Sequence, residues 1–144
     1  MKKIILSIAS FIILVVAYWL ISPLFKKTEL NENFTVSIVA TTTKIIAGNF
    51  VDGAHVVSGV AKVINADGAN TLRFENFSTE NGPDLFVYLA TDNSGKNFVN
   101  LGKLKATNGN FNYTILANVN VEKYNHVLIW CRAFGVLFGS AEMK

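Results

Sequence analysis

Cysteine, proline and charged side chains are scarce in this chain. Its 144 residues include one cysteine and two prolines, and charged residues make up 16%. A single cysteine excludes an internal disulfide, so outside the cytoplasm the thiol must be buried, bound to something or paired with another chain. The apolar share of 51% excludes a disordered chain and suggests that a membrane segment raises the average.

Excess positive charge is also missing from most of the chain, although its formal net charge is +3. Four lysines, at positions 2, 3, 26 and 27, flank the N-terminal apolar run. From Thr28 onward there are nine basic and ten acidic residues, a net charge of −1. This part of the chain has no cationic surface for nucleic acid, which we exclude as a partner.

An N-terminal run of 22 uncharged residues extends from Ile4 to Phe25. A helix that crosses a bilayer needs about 20 apolar residues, whereas the core of a cleaved signal peptide has about 7–15. Tyr18 and Trp19 fit an interfacial aromatic belt. The sequence predicts that residues 4–25 form an uncleaved, single-pass transmembrane helix in the cell membrane, with the C-terminal domain outside the cytoplasm. A cleaved signal peptide is the alternative.

The remainder of the chain is typical of an all-β domain. No long stretch has helical periodicity, and short β-branched and aromatic runs recur about every ten residues between Gly, Asn and Asp. We predict an antiparallel β-sandwich or flattened barrel of about eight strands in residues 44–144, after an anchor at 1–27 and a stalk at 28–43. The predicted strands are Lys44–Phe50, Val56–Asn65, Thr71–Asn76, Leu85–Ala90, Phe98–Leu101, Phe111–Leu116, His126–Arg132 and Val136–Met143.

The cysteine lies in the most apolar of these runs, His126–Arg132. Side chains alternate between the two faces of a strand, so Val127 and Ile129 share the face of Cys131 and Trp130 points the other way. The thiol therefore points inward. It is either a small core residue or the one nucleophilic, electron-accepting group of the domain.

Several short motifs occur in a particular order along the predicted β domain. They include Gly48-x-Phe50, Ser58-Gly59, Asn76-Phe77, Gly82-Pro83-Asp84-Leu85, Leu101-Gly102, Ile129-Trp130-Cys131 and Phe138-Gly139. Together these motifs resemble the DM-thirteen domain, a small extracytoplasmic all-β module often found beside DOMON domains, and the likeness spans about Ile46 to Glu142. The resemblance implies a redox or electron-transfer role for the family's cysteine, as a bare thiol or as a ligand to a group such as haem, and this role maps onto Cys131.

His55 is the second candidate site residue. A neutral imidazole can ligate haem iron or pair with a thiolate, and a hydrogen-bonded turn residue is the alternative. His126 lies five residues before Cys131, on the opposite face of the same strand, and has no predicted role. Asp84 follows Gly-Pro at a strand entrance and is expected to stabilise a turn.

The sequence thus favours a membrane-anchored extracytoplasmic redox or electron-transfer module, with Cys131 as thiol or prosthetic-group ligand and His55 as a second cofactor ligand. We expect such a module rather than a stand-alone enzyme, and we predict no metal site. A separate protein is expected as its redox partner, since these residues include no DOMON-like segment. The alternatives are a non-catalytic cell-surface binding or structural β-sandwich with a buried core cysteine, and a dimer disulfide-linked through Cys131.

Overall fold

A computed structural model describes residues 2–22, 26–34, 43–66 and 68–144. This part of the chain contains one α-helix and ten strands. They are α1 (Lys2–Ile21), β1 (Glu29–Asn31), β2 (Thr43–Asn49), β3 (Val51–Asp52), β4 (Val57–Ala66), β5 (Ala69–Thr79), β6 (Leu85–Ala90), β7 (Phe98–Lys103), β8 (Asn108–Ile115), β9 (His126–Cys131) and β10 (Val136–Glu142).

The strands form two five-stranded sheets. Sheet A has the order β1-β8-β5-β4-β2, and sheet B has the order β3-β10-β9-β6-β7. Neighbouring strands are antiparallel, except that β1 runs parallel to β8. Phe74 and Phe111 of sheet A and Val87 and Ile129 of sheet B are fully buried in one core cluster. The two sheets therefore pack face to face, which confirms the predicted antiparallel β-sandwich.

All eight predicted strands are present, with ends that differ by a few residues. The two additional strands, β1 and β3, contain three and two residues. Such segments are too short to display the alternation by which a strand is recognised in a sequence. Both lie at sheet edges, where a few backbone hydrogen bonds to a longer neighbour hold them in place.

The residues on either side of β1, which the sequence places in the stalk, are bound to sheet A. The backbone oxygen of Thr28 accepts hydrogen bonds from Thr107 and Asn108, both at 3.0 Å. The Glu32 carboxylate accepts hydrogen bonds from the backbone N–H of Asn112 at 2.8 Å and from Lys105 Nζ at 2.9 Å. Of the alternating segment at residues 34–39, residues 35–39 lie outside the described part of the chain.

The N-terminal helix α1 differs from the prediction. Within the described residues, no helix has both the length and the apolar character that are needed to cross a membrane. The helix includes two lysines and ends at Ile21, so its uncharged part is shorter than the 22-residue run in the sequence. The predicted transmembrane helix is therefore corrected to a helix of 20 residues.

Candidate functional site

Cys131 is the last residue of β9, which lies between β10 and β6 in sheet B. It is opposite Val136 on β10 and opposite Leu85 on β6. Its exposed fraction is 0%, as are those of Val127 and Ile129 on the same face of the strand. The prediction that the thiol points inward is confirmed.

Apolar side chains surround this thiol. Cys131 is a free cysteine that belongs to the main core cluster, together with Leu85, Ile129 and Phe138. In the part of the chain that the structure describes, its sulfur makes no hydrogen bond and no ion pair. A reagent that must touch the sulfur can therefore reach it only when the surrounding structure opens.

A tight hairpin closes the sandwich next to Cys131. Residues 132–135 connect β9 to β10, and the loop before β6 brings Asp84 against them. The backbone N–H of Arg132 donates to the Asp84 carbonyl oxygen at 2.9 Å, and its Nε donates to Asp84 Oδ2 at 2.9 Å. The guanidinium also lies 4.2 Å from the ring centroid of Phe86. We call Arg132, Asp84 and Phe86 the Arg132 clamp.

His55 is bound to a different set of residues. Its Nδ1 lies 2.6 Å from Glu80 Oε2, and its ring stacks on Phe138 with centroids 3.9 Å apart. The backbone of the loop at Gly53 and His55 donates to the Phe138 carbonyl oxygen at 2.8 and 3.2 Å. No hydrogen bond or ion pair among the described residues joins His55 to Cys131. His55 thus packs on Phe138, which belongs to the same core cluster as Cys131, but it makes no hydrogen bond to the sulfur.

His126 is paired with its neighbour in the chain, whereas Asp84 is paired with a distant residue. His126 Nδ1 lies 2.8 Å from the side-chain oxygen of Asn125 at the start of β9. Asp84 binds Arg132, a contact between residues 48 positions apart that the sequence does not indicate. In the described residues no group of three or more His, Cys, Asp or Glu side chains could hold a metal ion.

Two cavities in the described part of the β-sandwich do not fit a haem held by Cys131 and His55. A cavity of about 150 Å³ lies beside the loop that holds Asp84 and is lined in part by Leu85 and Lys103, but not by Cys131. Pockets for cofactor-sized ligands are usually about 300–1,000 Å³. A second cavity, of about 230 Å³, is lined mainly by residues of sheet A. We therefore derive no chemistry through haem.

The opposite face of sheet B carries a second apolar cluster that sequence reasoning did not identify as a separate feature. Phe86, Tyr88 and Leu128 are buried there, with Trp130 packed against them. The sequence signal for this cluster was the uninterrupted apolar run of β6, which predicts a strand covered on both faces. All six residues of β6 are in fact buried.

These features define a class: a small antiparallel β-sandwich that buries one free thiol at the end of a central strand. The family model described as Electron transfer DM13 matches residues 49–143. The chain belongs to this family, and the resemblance to the DM-thirteen domain is confirmed. Searches of curated proteins and of solved structures gave no match.

Proposed function

We propose that this chain is an electron-transfer module in which Cys131 is the redox-active group. The observation that carries the proposal is the family match across residues 49–143, which includes the chain's single cysteine. A separate redox protein supplies or accepts the electron.

The burial of Cys131 is compatible with this role because an electron can pass through a thin protein layer without contact between donor and acceptor. The thiol is fully buried, yet it lies directly before an exposed hairpin, in which Phe134 is 73% exposed. The Arg132 clamp holds the hairpin to the start of β6 with one ion pair and one cation–π contact. The core side chains around the sulfur exclude reagents that react only on contact. The sulfur is nevertheless only one residue away from the hairpin at the surface.

A second function, a binding or structural β-sandwich with Cys131 as a core residue, is favoured by one specific observation. The thiol has apolar neighbours on its own strand and opposite it on both adjacent strands. Free cysteine often occupies such positions as a small apolar side chain. The two functions differ in whether the native protein can lose an electron from the sulfur.

The test compares two oxidants of different reach on the native full-length chain. Hexachloroiridate(IV) is an outer-sphere one-electron oxidant, whereas Ellman's reagent must touch the sulfur. After timed exposure to either reagent the protein is quenched and denatured, and the remaining free thiol is titrated. Cys131 is the only cysteine, so the loss of titratable thiol reports on it alone.

Electron transfer predicts that hexachloroiridate(IV) consumes the thiol during a period in which Ellman's reagent leaves it intact. The reaction converts Cys131 S–H into a thiyl radical, with one electron passing to the iridium complex and one proton to solvent. If the thiol survives both reagents in the native state and reacts only after denaturation, the redox role of Cys131 is refuted and the structural function remains.

We also propose that the β-sandwich lies outside the cytoplasm and that α1 attaches the chain to a membrane. The large apolar side chains of this helix, such as Ile4, Phe11 and Trp19, are mostly exposed, at 65%, 67% and 77%. Exposed apolar patches of this kind favour contact with a membrane. Protease added to intact cells should degrade the sandwich, and washing with high salt should leave the chain in the membrane fraction. Recovery in the wash would refute the attachment, and protection from protease would refute the location.

A further inference from the structure

Four aromatic side chains lie together on the outer face of sheet B, away from the face that holds Cys131. They are Phe86 and Tyr88 of β6, Phe98 of β7 and Trp130 of β9, and we call them the outer aromatic cluster. Tyr88 and Phe98 are stacked, with centroids 4.0 Å apart and planes inclined by 16°. Tyr88 and Trp130 are 6.5 Å apart, with planes inclined by 29°. The rings thus form a continuous row across three neighbouring strands.

This row leads from the protein surface toward the thiol. Phe98 is 40% exposed at one end, whereas Tyr88 is only 3% exposed in the middle. Trp130 stands at the other end, one peptide bond from Cys131. The indole and the sulfur point to opposite faces of β9, so a short covalent path joins the outer cluster to the core.

Close contacts fix the spacing of the rings. The backbone of Gly95 lies directly on the indole, since a Cβ atom added there would stand 2.8 Å from Trp130 Cη2. At the other side of the cluster, the Arg132 guanidinium lies over Phe86. A row of rings held in this way keeps constant distances, which electron transfer through side chains requires.

Tyrosine and tryptophan are the aromatic side chains that give up one electron most readily. The phenol of Tyr88 is protonated at neutral pH, because the ordinary pKa of tyrosine is about 10 and burial raises it further, so Tyr88 must lose a proton when it loses an electron. Within the described residues the Tyr88 hydroxyl has no protein hydrogen-bond partner, and no fully buried side-chain oxygen lacks one. Its oxygen therefore reaches solvent, where the proton can go.

We propose that Trp130 and Tyr88 form the route by which an electron leaves Cys131 for a one-electron acceptor that docks beside Phe98. This inference rests on the electron-transfer function proposed above. The acceptor takes one electron from Tyr88, which loses its phenolic proton to solvent. Trp130 then reduces Tyr88, which regains a proton, and Cys131 reduces Trp130. In the net reaction the S–H bond of Cys131 breaks, its proton enters solvent and the acceptor gains one electron.

The test generates the hole photochemically in the full-length chain. Trp19→Phe leaves Trp130 as the only tryptophan, since the sequence contains two. In this background Cys131→Ser removes the thiol, so that the aromatic route is observed by itself. Photo-oxidised tris(bipyridine)ruthenium(III) serves as the one-electron oxidant, and the radicals are identified by freeze-quench electron paramagnetic resonance and transient absorption.

Without the thiol nothing refills a hole on Trp130 except Tyr88, so a tryptophanyl signal that decays as a tyrosyl signal rises is expected; this is the proposed Trp130–Tyr88 step crossed in the reverse direction. Tyr88→Phe should remove that tyrosyl signal and lengthen the tryptophanyl lifetime severalfold. Tyr124→Phe is the control, since Tyr124 is a half-buried tyrosine that lies outside the cluster, and it should change neither signal. An unchanged tryptophanyl lifetime in the folded Tyr88→Phe variant would overturn the route, as would loss of the tyrosyl signal in Tyr124→Phe.

A second measurement separates this inference from the proposed function. With Cys131 present, Trp130→Phe and Tyr88→Phe should each slow the loss of the thiol to hexachloroiridate(IV) severalfold. Loss of the thiol at the wild-type rate in both variants refutes the route and leaves the electron-transfer function standing. A thiol that is never oxidised, even where the expected radicals form at Trp130 and Tyr88, refutes the function of Cys131 and removes the donor on which the route depends.

Discussion

Removal of the Arg132 side chain should let the hairpin next to Cys131 open more often, so that the buried thiol reacts faster with reagents under native conditions. If Cys131 in wild type reacted with Ellman's reagent only through global unfolding, its reaction would be slower than that of an exposed thiol by about three to four orders of magnitude or more. The reason is that domains are stable by about 5–15 kcal/mol. A local opening of residues 132–135 costs less, because it breaks only the contacts at one end of the sandwich.

The size of the effect follows from the contacts that Arg132→Ala deletes. The ion pair with Asp84 has a length of 2.9 Å, and the Arg132 side chain is 57% exposed. Exposed ion pairs contribute about 0.2–1 kcal/mol, and exposed cation–π contacts about 0.5–1 kcal/mol. We take the lower part of these ranges because solvent screens the pair, and expect about 1 kcal/mol, which accelerates the native reaction about fivefold.

The assay follows the release of the thiol-reagent chromophore under native conditions at several low concentrations of urea. A rate that depends only weakly on urea indicates local opening, because little surface is exposed. Salt should accelerate the reaction of wild type more than that of Arg132→Ala, since only wild type has an ion pair to screen. Lys44→Ala is the control, because it deletes another ion pair, between Lys44 on β2 and Glu122 in the loop after β8, whose side chains are 69% and 74% exposed. Equal rates for wild type and Arg132→Ala, or equal acceleration by Lys44→Ala, would refute the reasoning.

Three further predictions concern stability, each measured as the free energy of unfolding in urea. Glu32→Gln should destabilise the protein by about 1 kcal/mol at neutral pH. Hydrogen bonding from Lys105 lowers the pKa of Glu32. The stability that the Glu32 carboxylate contributes is therefore present above the ordinary carboxyl range and is lost as the pH falls through the lowered pKa. A difference that persists in acid would contradict this. Gly109→Ala should lower the free energy of unfolding more than Gly102→Ala. The two glycines have similar φ angles, +116° and +114°, but only at Gly109 would a Cβ atom collide with β1. Equal losses of stability would show that β1 moves aside. Cys131→Ser should be less stable than Cys131→Ala, since an unpaired buried hydroxyl costs about 1–3 kcal/mol; a serine variant as stable as wild type would indicate a polar partner near the sulfur.

Sequence reasoning identified the long strands well because each carries its own signal. The six residues of β6 are all apolar or small and read as a strand covered on both faces, and its observed ends match the predicted ones. The direction of Cys131 was equally predictable, because alternation along β9 needs no knowledge of the neighbouring strands. The short strands β1 and β3 have no such signal, since their position depends on backbone hydrogen bonds to β8 and β10.

The surroundings of the candidate site could not be predicted in the same way. His55 was proposed as a second ligand because of its side chain, but the structure places its ring on Phe138 and its nitrogen beside Glu80. Asp84 was read as a turn residue, and it also binds Arg132 across 48 positions. Contacts of this kind depend on which loops meet at the same end of the sandwich.

The amino-acid sequence by itself determined the all-β character, the position of most strands and the inward direction of the thiol, because these follow from the local alternation of apolar and polar residues. Only the tertiary structure decided that Asp84 binds Arg132 at the hairpin next to the thiol, that His55 binds Glu80, and that Tyr88 lies between Phe98 and Trp130. The physical reason is the register of β6, β7 and β9, which sets the distances between side chains that are far apart in the chain.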